Sequence, residues 1–399
     1  MSDQLPSVSS RPGSAELLRA LRSVMAGYVE AGEVPGAVLA VSSGADNLVE
    51  ATGRTGPGGD QLSGDAIVRI SSMTKPIVAA VTHRLAEDGL LALTDPITRW
   101  MPELAERRVV RRLDGPVDDT VPADREITVE DLLTMRMGFG FAFEVESCPV
   151  AELAVARGLG MGAPLPGAVP HEPDEWIRQF AQLPLMEQPG SQWRYEFAYP
   201  VLGVLLARAA GKSLPAVVSE RLLEPLGMTD TGFVVPERAR DRLIPCFTAG
   251  DDGLVMFDDA VGSDWLRPFP FPHGGGGLVS TAADYLRFGR LLLDGGVHDG
   301  ARLLSTQAVA EIITDQLTAD QHSGPSAGTF LDGGGWGHGL QVRLGEDRPR
   351  RYGWGGGLGT TWYNFPDHDL TVVLLTQHVP PLASANLRFW SALDEQLHN

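Results

Sequence analysis

The chain has 399 residues, 43% hydrophobic and 21% charged, long enough to bury a core without help from disulfides or metals. A formal net charge of −19 argues against nucleic acid as a partner and disfavours anionic membrane surfaces, since both call for clustered Lys and Arg. Cys148 and Cys246 form no Cys-x-x-Cys pair and read as two free thiols.

Met1 to Ser14 lacks the basic start and apolar run of a signal peptide, which gives a cytoplasmic expectation. Ala15 to Ala31 then places Leu17, Leu18, Leu21, Val24, Met25 and Tyr28 at helical spacing. Pro35-Gly36 ends that helix, and Ala37 to Ser42 and Leu48 to Ala51 read as strands around a turn at Gly44. A buried helix is predicted from about Ser72 to Asp88, stopped by Gly89, with Pro76 near its first turn. Glu103 to Arg125 is charged and irregular. A helix at Val129 to Met135 precedes the Gly/Pro stretch Gly158 to Pro173, which is too long for a simple connector. Helical patterns return at Phe197 to Ala210, Leu214 to Leu226 and Ala282 to Leu293. Val201 to Ala210 is far too short to span a bilayer, so no membrane partner is expected. Strands follow at Gly337 to Leu344, Thr360 to Asn364 and Leu370 to Thr376, then a final helix at Ala385 to Leu397.

This order predicts an α/β fold of the α+β type: one antiparallel sheet built from both ends of the chain, flanked by helices. The expected division is a sheet domain, 1–105 with 270–399, and a mostly helical insertion, 106–269.

Ser72-Met73-Thr74-Lys75 is the leading chemical signal. Residues three apart share a helix face, so the Lys75 amine can reach the Ser72 hydroxyl. A serine at a helix start also lies near orphan N–H groups that stabilise an oxyanion. The tetrapeptide alone is common, and an N-capping serine with a solvated lysine has the same spelling. The apolar neighbours Met73, Pro76, Ile77, Val78 and Ala79 argue against an open surface for Lys75.

With Pro76, this pentapeptide resembles the active-site helix of serine β-lactamase-like and penicillin-recognising hydrolases. Pro35 to Val38, Gly89 to Pro96, Ile127 to Leu133, Pro189 to Tyr195 and Gly277 to Asp284 resemble further phrases of that family in the same order. The resemblance implies a β-lactamase-like fold and a catalytic role for Tyr195, whose phenol would bridge Lys75 and Ser72. The family's Tyr-x-Asn motif here ends in Phe197, which puts β-lactam or peptide recognition in doubt. Where β-lactamases carry Lys-Thr-Gly, this chain has Gly353-Trp354-Gly355-Gly356-Gly357 before a strand. That version resembles family VIII carboxylesterases and statin-type acyltransferases. It implies that Trp354, Gly355, Gly356 and Phe197 line a substrate pocket and that the N–H groups of Ser72 and Gly357 form the oxyanion hole.

Gly324-Pro325-Ser326-Ala327-Gly328 matches the nucleophile-elbow pattern but lacks its strand and helix context. The nine histidines form no metal-binding pair, and no dinucleotide fingerprint follows a strand, so neither metal nor cofactor is expected. His273 and His338 read as structural, and Arg351 as a cation within reach of an acidic substrate. The expected activity is hydrolysis of small-molecule carboxylic esters through Ser72. Its rivals are acyl transfer by the same residues, a β-lactamase or D-aminopeptidase activity, and a ligand-binding module without catalysis.

Overall fold

Alternation along two neighbouring strands explains how one sheet divides the molecule. On Gly36–Ser43 (β1), Ala37, Leu39 and Val41 point to one face and Val38 and Ala40 to the other. Leu370–Leu375, the strand beside it, splits likewise, Val372 and Leu374 against Val373 and Leu375. Both faces are buried, so both are apolar, and each is covered by different helices.

The structure is a computed structural model describing residues 14–44, 46–160, 169–251, 253–345, 349–380 and 383–398. The main sheet contains β1, Asp46–Gly53 (β2), Gly335–Trp336 (β3), Gln341–Leu344 (β4), Pro349–Gly356 (β5), Thr360–Phe365 (β6) and Leu370–Leu375 (β7). Its order is β3-β4-β5-β6-β7-β1-β2, antiparallel throughout. The first face is sealed by Ser14–Glu30 (α1) and Ala383–His398 (α5), whose Leu21, Met25, Phe389 and Leu393 share a cluster with β1 and β7. The second face carries the larger core. Thr74–Glu87 (α2), Ala198–Ala210 (α3) and Ala282–Leu293 (α4) pack there, with Trp362 and Tyr352 of the sheet beneath Tyr285 and Phe288 of α4.

The α+β expectation holds, and α1, α2, α3, α4 and α5 lie where helical periodicity placed them. Other expectations need correction. Gly337 to Leu344 is not one strand: only Gln341–Leu344 pairs as β4, because the chain turns at Gly339, whose φ is +85°. A Cβ there would sit 2.6 Å from the Tyr199 hydroxyl and 2.9 Å from the Lys75 carbonyl, so the close approach to α2 requires glycine. Gly353 to Gly356 precede the strand Thr360–Phe365 as expected, and they themselves lie inside β5. The helix predicted at Leu214 to Leu226 ends its α-helical part at Val218 and widens over Ser219–Leu223. The helices Pro149–Ala156, Pro173–Ala181 and Thr306–Ile313 and the strands Cys246–Gly250 and Gly253–Asp258 add to the expected elements. Within the Gly158 to Pro173 stretch, 161–168 lie outside the described residues. Cys148 and Cys246 are both buried free thiols. Among the described residues, no single helix is long and apolar enough to cross a membrane.

Candidate active site

The approach to Ser72 is a sharp bend. Ser71 adopts φ +47°, left-handed and unfavourable for a residue with a Cβ, and Ser71–Met73 form a single 3₁₀ turn leading into α2. Two contacts hold the bend. Thr360 Oγ1 of β6 donates to the Ile70 carbonyl at 3.1 Å, and the Tyr285 hydroxyl of α4 donates to the Met73 carbonyl at 2.8 Å. One turn on, Lys75 donates from Nζ to Ser72 Oγ at 2.9 Å and to the Gly275 carbonyl at 2.7 Å. Lys75 is 0% exposed and Ser72 7%, so both are buried and the amine completely so.

The Gly275 carbonyl is itself positioned. Its residue's N–H donates to Nδ1 of His273 at 3.1 Å, which fixes that nitrogen as an acceptor. Burial, reinforced by the Lys75 charge, pushes the His273 imidazole down to about 3, so it stays neutral under ordinary conditions.

Strand β5 forms the opposite wall. A Cβ on Gly356 would lie 2.3 Å from the Ile70 carbonyl oxygen, so only glycine lets β5 pass this close to the turn before the nucleophile. Gly357 follows, its Cβ position 3.7 Å from Ser71 Oγ. Trp354 projects from β5 and donates from Nε1 to the Tyr195 hydroxyl at 3.0 Å. Tyr195 and Trp354 are both buried, at 6% and 7% exposure.

The structure therefore brings Ser72, Lys75, Tyr195, Trp354, Gly356 and Gly357 together, but the expected phenol bridge is not drawn. Among the described residues, the Tyr195 hydroxyl bonds Trp354 and makes no hydrogen bond to Ser72 or Lys75. The Lys75 amine instead lies 4.8 Å from the centre of the Tyr195 ring. Hydrogen bonds of substrate-free sites are commonly long and tighten when substrate binds. Phe197 is not on a cleft wall: it is 1% exposed, stacked on Trp176 and packed against Phe139 and Phe180. The hydrocarbon ring that replaces the motif's Asn has joined the core. Arg351 is also misplaced by the sequence reading. It alternates with Trp354 along β5 and so faces the α5 side, over the Tyr363 ring and 4.0 Å from Asp394. Ser326 of the elbow-like pentapeptide is buried on the short helix Pro325–Phe330, away from any strand-to-helix elbow.

Three features escaped the sequence reading. Glu196 is 4% exposed, with Oε2 3.9 Å from Lys75 Nζ. A carboxylate spelled between Tyr195 and Phe197, in an otherwise aromatic run, was the available signal. Aromatic rings extend from the phenol towards solvent: Phe330 centres 4.3 Å from Tyr195, then Phe141 and the half-exposed Phe143 continue the row. Third, His338 Nδ1 meets His83 Nε2 of α2 at 2.9 Å, both rings buried. Among the described residues, no cluster of His, Cys, Asp and Glu is arranged to hold a metal ion.

Known proteins share this architecture. A family model described as Beta-lactamase matches residues 21–397. Protein Rv1367c of Mycobacterium tuberculosis is 38% identical over 335 residues, 82% of this chain and 80% of the relative. Esterase EstB of Burkholderia gladioli is 30% identical over 343 residues, 80% of this chain and 79% of EstB. Among solved structures, EstCE1, described as a hydrolase with promiscuous acyltransferase activity, superposes with a TM-score of 0.77 at 22% identity, covering 94% of this chain and 98% of its own. With the Ser-x-x-Lys turn, the glycine strand beside it and an antiparallel sheet behind both, the chain belongs to the beta-lactamase family.

Proposed function

We propose that this protein is a serine hydrolase that cleaves small carboxylic esters through an acyl-enzyme on Ser72. The observation that carries the reading is the Ser72 hydroxyl, hydrogen-bonded to a fully buried amine at the first turn of a helix. Ser72 Oγ attacks the ester carbonyl while the Lys75–Tyr195 pair accepts its proton. The N–H groups of Ser72 and Gly357 receive the oxyanion, each such donor contributing about 3 kcal/mol of transition-state stabilisation. The pair returns the proton to the departing alcohol, and water then cleaves the acyl-enzyme. The Trp354 indole, bonded to the phenol, favours the phenol's charged form during the transfer and presents an apolar wall. The row Phe330, Phe141 and Phe143 offers a surface to an apolar acyl or alcohol group.

The kinship with EstB supports an ester substrate, and the absence of a lysine at Trp354 and of an asparagine at Phe197 speaks against β-lactams. The acyltransferase description of EstCE1 favours a second reading, in which an added alcohol replaces water in the last step. Hydrolysis of short p-nitrophenyl esters tests the main reading. Ser72→Ala should lower kcat/KM by about three orders of magnitude or more, with melting temperature unchanged. Ester hydrolysis that survives in that variant contradicts it. A competing alcohol that diverts product to a new ester marks the transferase reading.

A further inference from the structure

A buried charge must find a partner, because an ammonium or carboxylate left alone in a protein interior is strongly destabilised. Lys75 and Glu196 are oppositely charged side chains that meet in this interior, at 0% and 4% exposure and 3.9 Å apart. The remaining surroundings of the amine favour positive charge too. Two of its protons go to the neutral oxygens of Ser72 and Gly275, and the π face of Tyr195 lies 4.8 Å away.

Every other element packed here leaves the balance to Glu196. His273, from the segment before Gly275, is neutral and accepts a backbone N–H. Tyr199 of α3 donates to the Leu133 carbonyl and is held as a phenol by burial. Arg194 turns its guanidinium to Glu144 and Glu187, which it engages behind the site. Trp354 of β5 and Phe330 carry no titratable group.

We propose that Glu196 is a positioning residue of this site: its buried carboxylate is the counter-ion that holds the Lys75 amine as an ammonium and thereby sets the pH range in which Ser72 can be activated. The idea rests on the reading of Ser72 as the nucleophile. To accept the Ser72 proton, one member of the Lys75–Tyr195 pair must first be without its own. A carboxylate 3.9 Å from the amine opposes that loss. The acid limb of the pH profile therefore lies higher with Glu196 than without it, whichever member of the pair is the acceptor.

Two measurements test this. In the first, kcat/KM for a short p-nitrophenyl ester is followed against pH in the wild type, Glu196→Gln and Glu196→Asp. The glutamine variant should show its acid limb displaced to lower pH by about one unit or more, with KM little changed. The aspartate variant should stay near the wild type. A uniformly lower kcat with unmoved limbs would assign Glu196 a merely structural role and overturn the proposal. The second needs no variant. The chain has only two lysines, Lys75 and the half-exposed Lys212, so selective ¹³C labelling at lysine Cε gives two resonances. Lys75 should resonate at the ammonium position at neutral pH in the folded wild type, and an amine position there overturns the proposal. The outcomes separate from those of the esterase reading: that reading fails on Ser72→Ala or on a wild type without hydrolysis, while the lysine resonance reports the charge on the Lys75 amine in either case.

Discussion

Trp354 occupies the position where a lysine would give the site a fixed charge, and its Nε1 proton retains part of that lysine's job. It reaches the Tyr195 hydroxyl at 3.0 Å, and in the proposed relay it would favour negative charge on the phenol oxygen. Trp354→Phe keeps the apolar wall and deletes the donor. A hydrogen bond to a charged group is worth about 1.5–3 kcal/mol, so kcat should fall roughly 10- to 100-fold with KM nearly unchanged. Steady-state kinetics on a single ester checks this, and an unaltered kcat would remove the indole from the proton relay. Much at this scale was legible. Ser72, Lys75 and Tyr195 stand out from spacing and resemblance; Lys75 hydrogen-bonds Ser72 and lies 4.8 Å from the centre of the Tyr195 ring, without the expected phenol bridge. The placements of Phe197 and Arg351 were not legible, because a one-dimensional motif does not say which face of its element a side chain takes. Phe197 turns into an aromatic core, and the alternation of β5 sends Arg351 to the far face of the sheet. Glu196 escaped for a related reason: a carboxylate beside a tyrosine is ordinary on a surface and unusual only once its burial is known.

At the scale of elements, the site depends on β5 passing against the turn before α2. Gly356→Ala drives a methyl to within 2.3 Å of the Ile70 carbonyl and 2.4 Å of Thr360 Oγ1, and a backbone carbonyl held on both sides has little room to yield. The expected loss is about 1–3 kcal/mol of stability, with reduced activity because Ile70 leads directly into Ser71 and Ser72. Gly357→Ala is the control for folding: its nearest neighbour at 3.7 Å is in ordinary contact, so its melting temperature should match the wild type. Equal melting temperatures for the two variants would show that the clamp is not tight. The clamp was invisible in the sequence, where the glycines read as a turn as readily as a strand. Helices with a long apolar stripe, such as α2 and α4, declared themselves. The short helices Pro149–Ala156 and Pro173–Ala181 did not, since their stability comes from docking Val150, Trp176 and Phe180 into the core more than from local preference.

Across the whole molecule, buried neutral histidines tie stability to pH. Burial pushes His83 down to about 4, against the smaller upward pull of Glu311 and Glu87, and His273 to about 3. Above the ordinary histidine value both folded and unfolded chains leave these rings neutral, and the full stabilisation is present. As pH falls below about 6.5, the unfolded chain takes up protons that the folded rings refuse. Stability then declines by about 1.4 kcal/mol per pH unit for each ring until the folded-state values are reached. Urea midpoints measured from neutral to mildly acidic pH should fall accordingly, and His83→Gln should fall less steeply. A midpoint that rises on acidification would contradict the neutral assignment.

Everything proposed for the reaction passes through one covalent bond, and intact-mass spectrometry observes it directly. After brief exposure to a short p-nitrophenyl ester, the wild type should gain the mass of one acyl group, mapped by peptide analysis to Ser72, and Ser72→Ala should gain none. An adduct on another residue, or rapid ester cleavage by an enzyme that never carries the acyl group, would contradict the account.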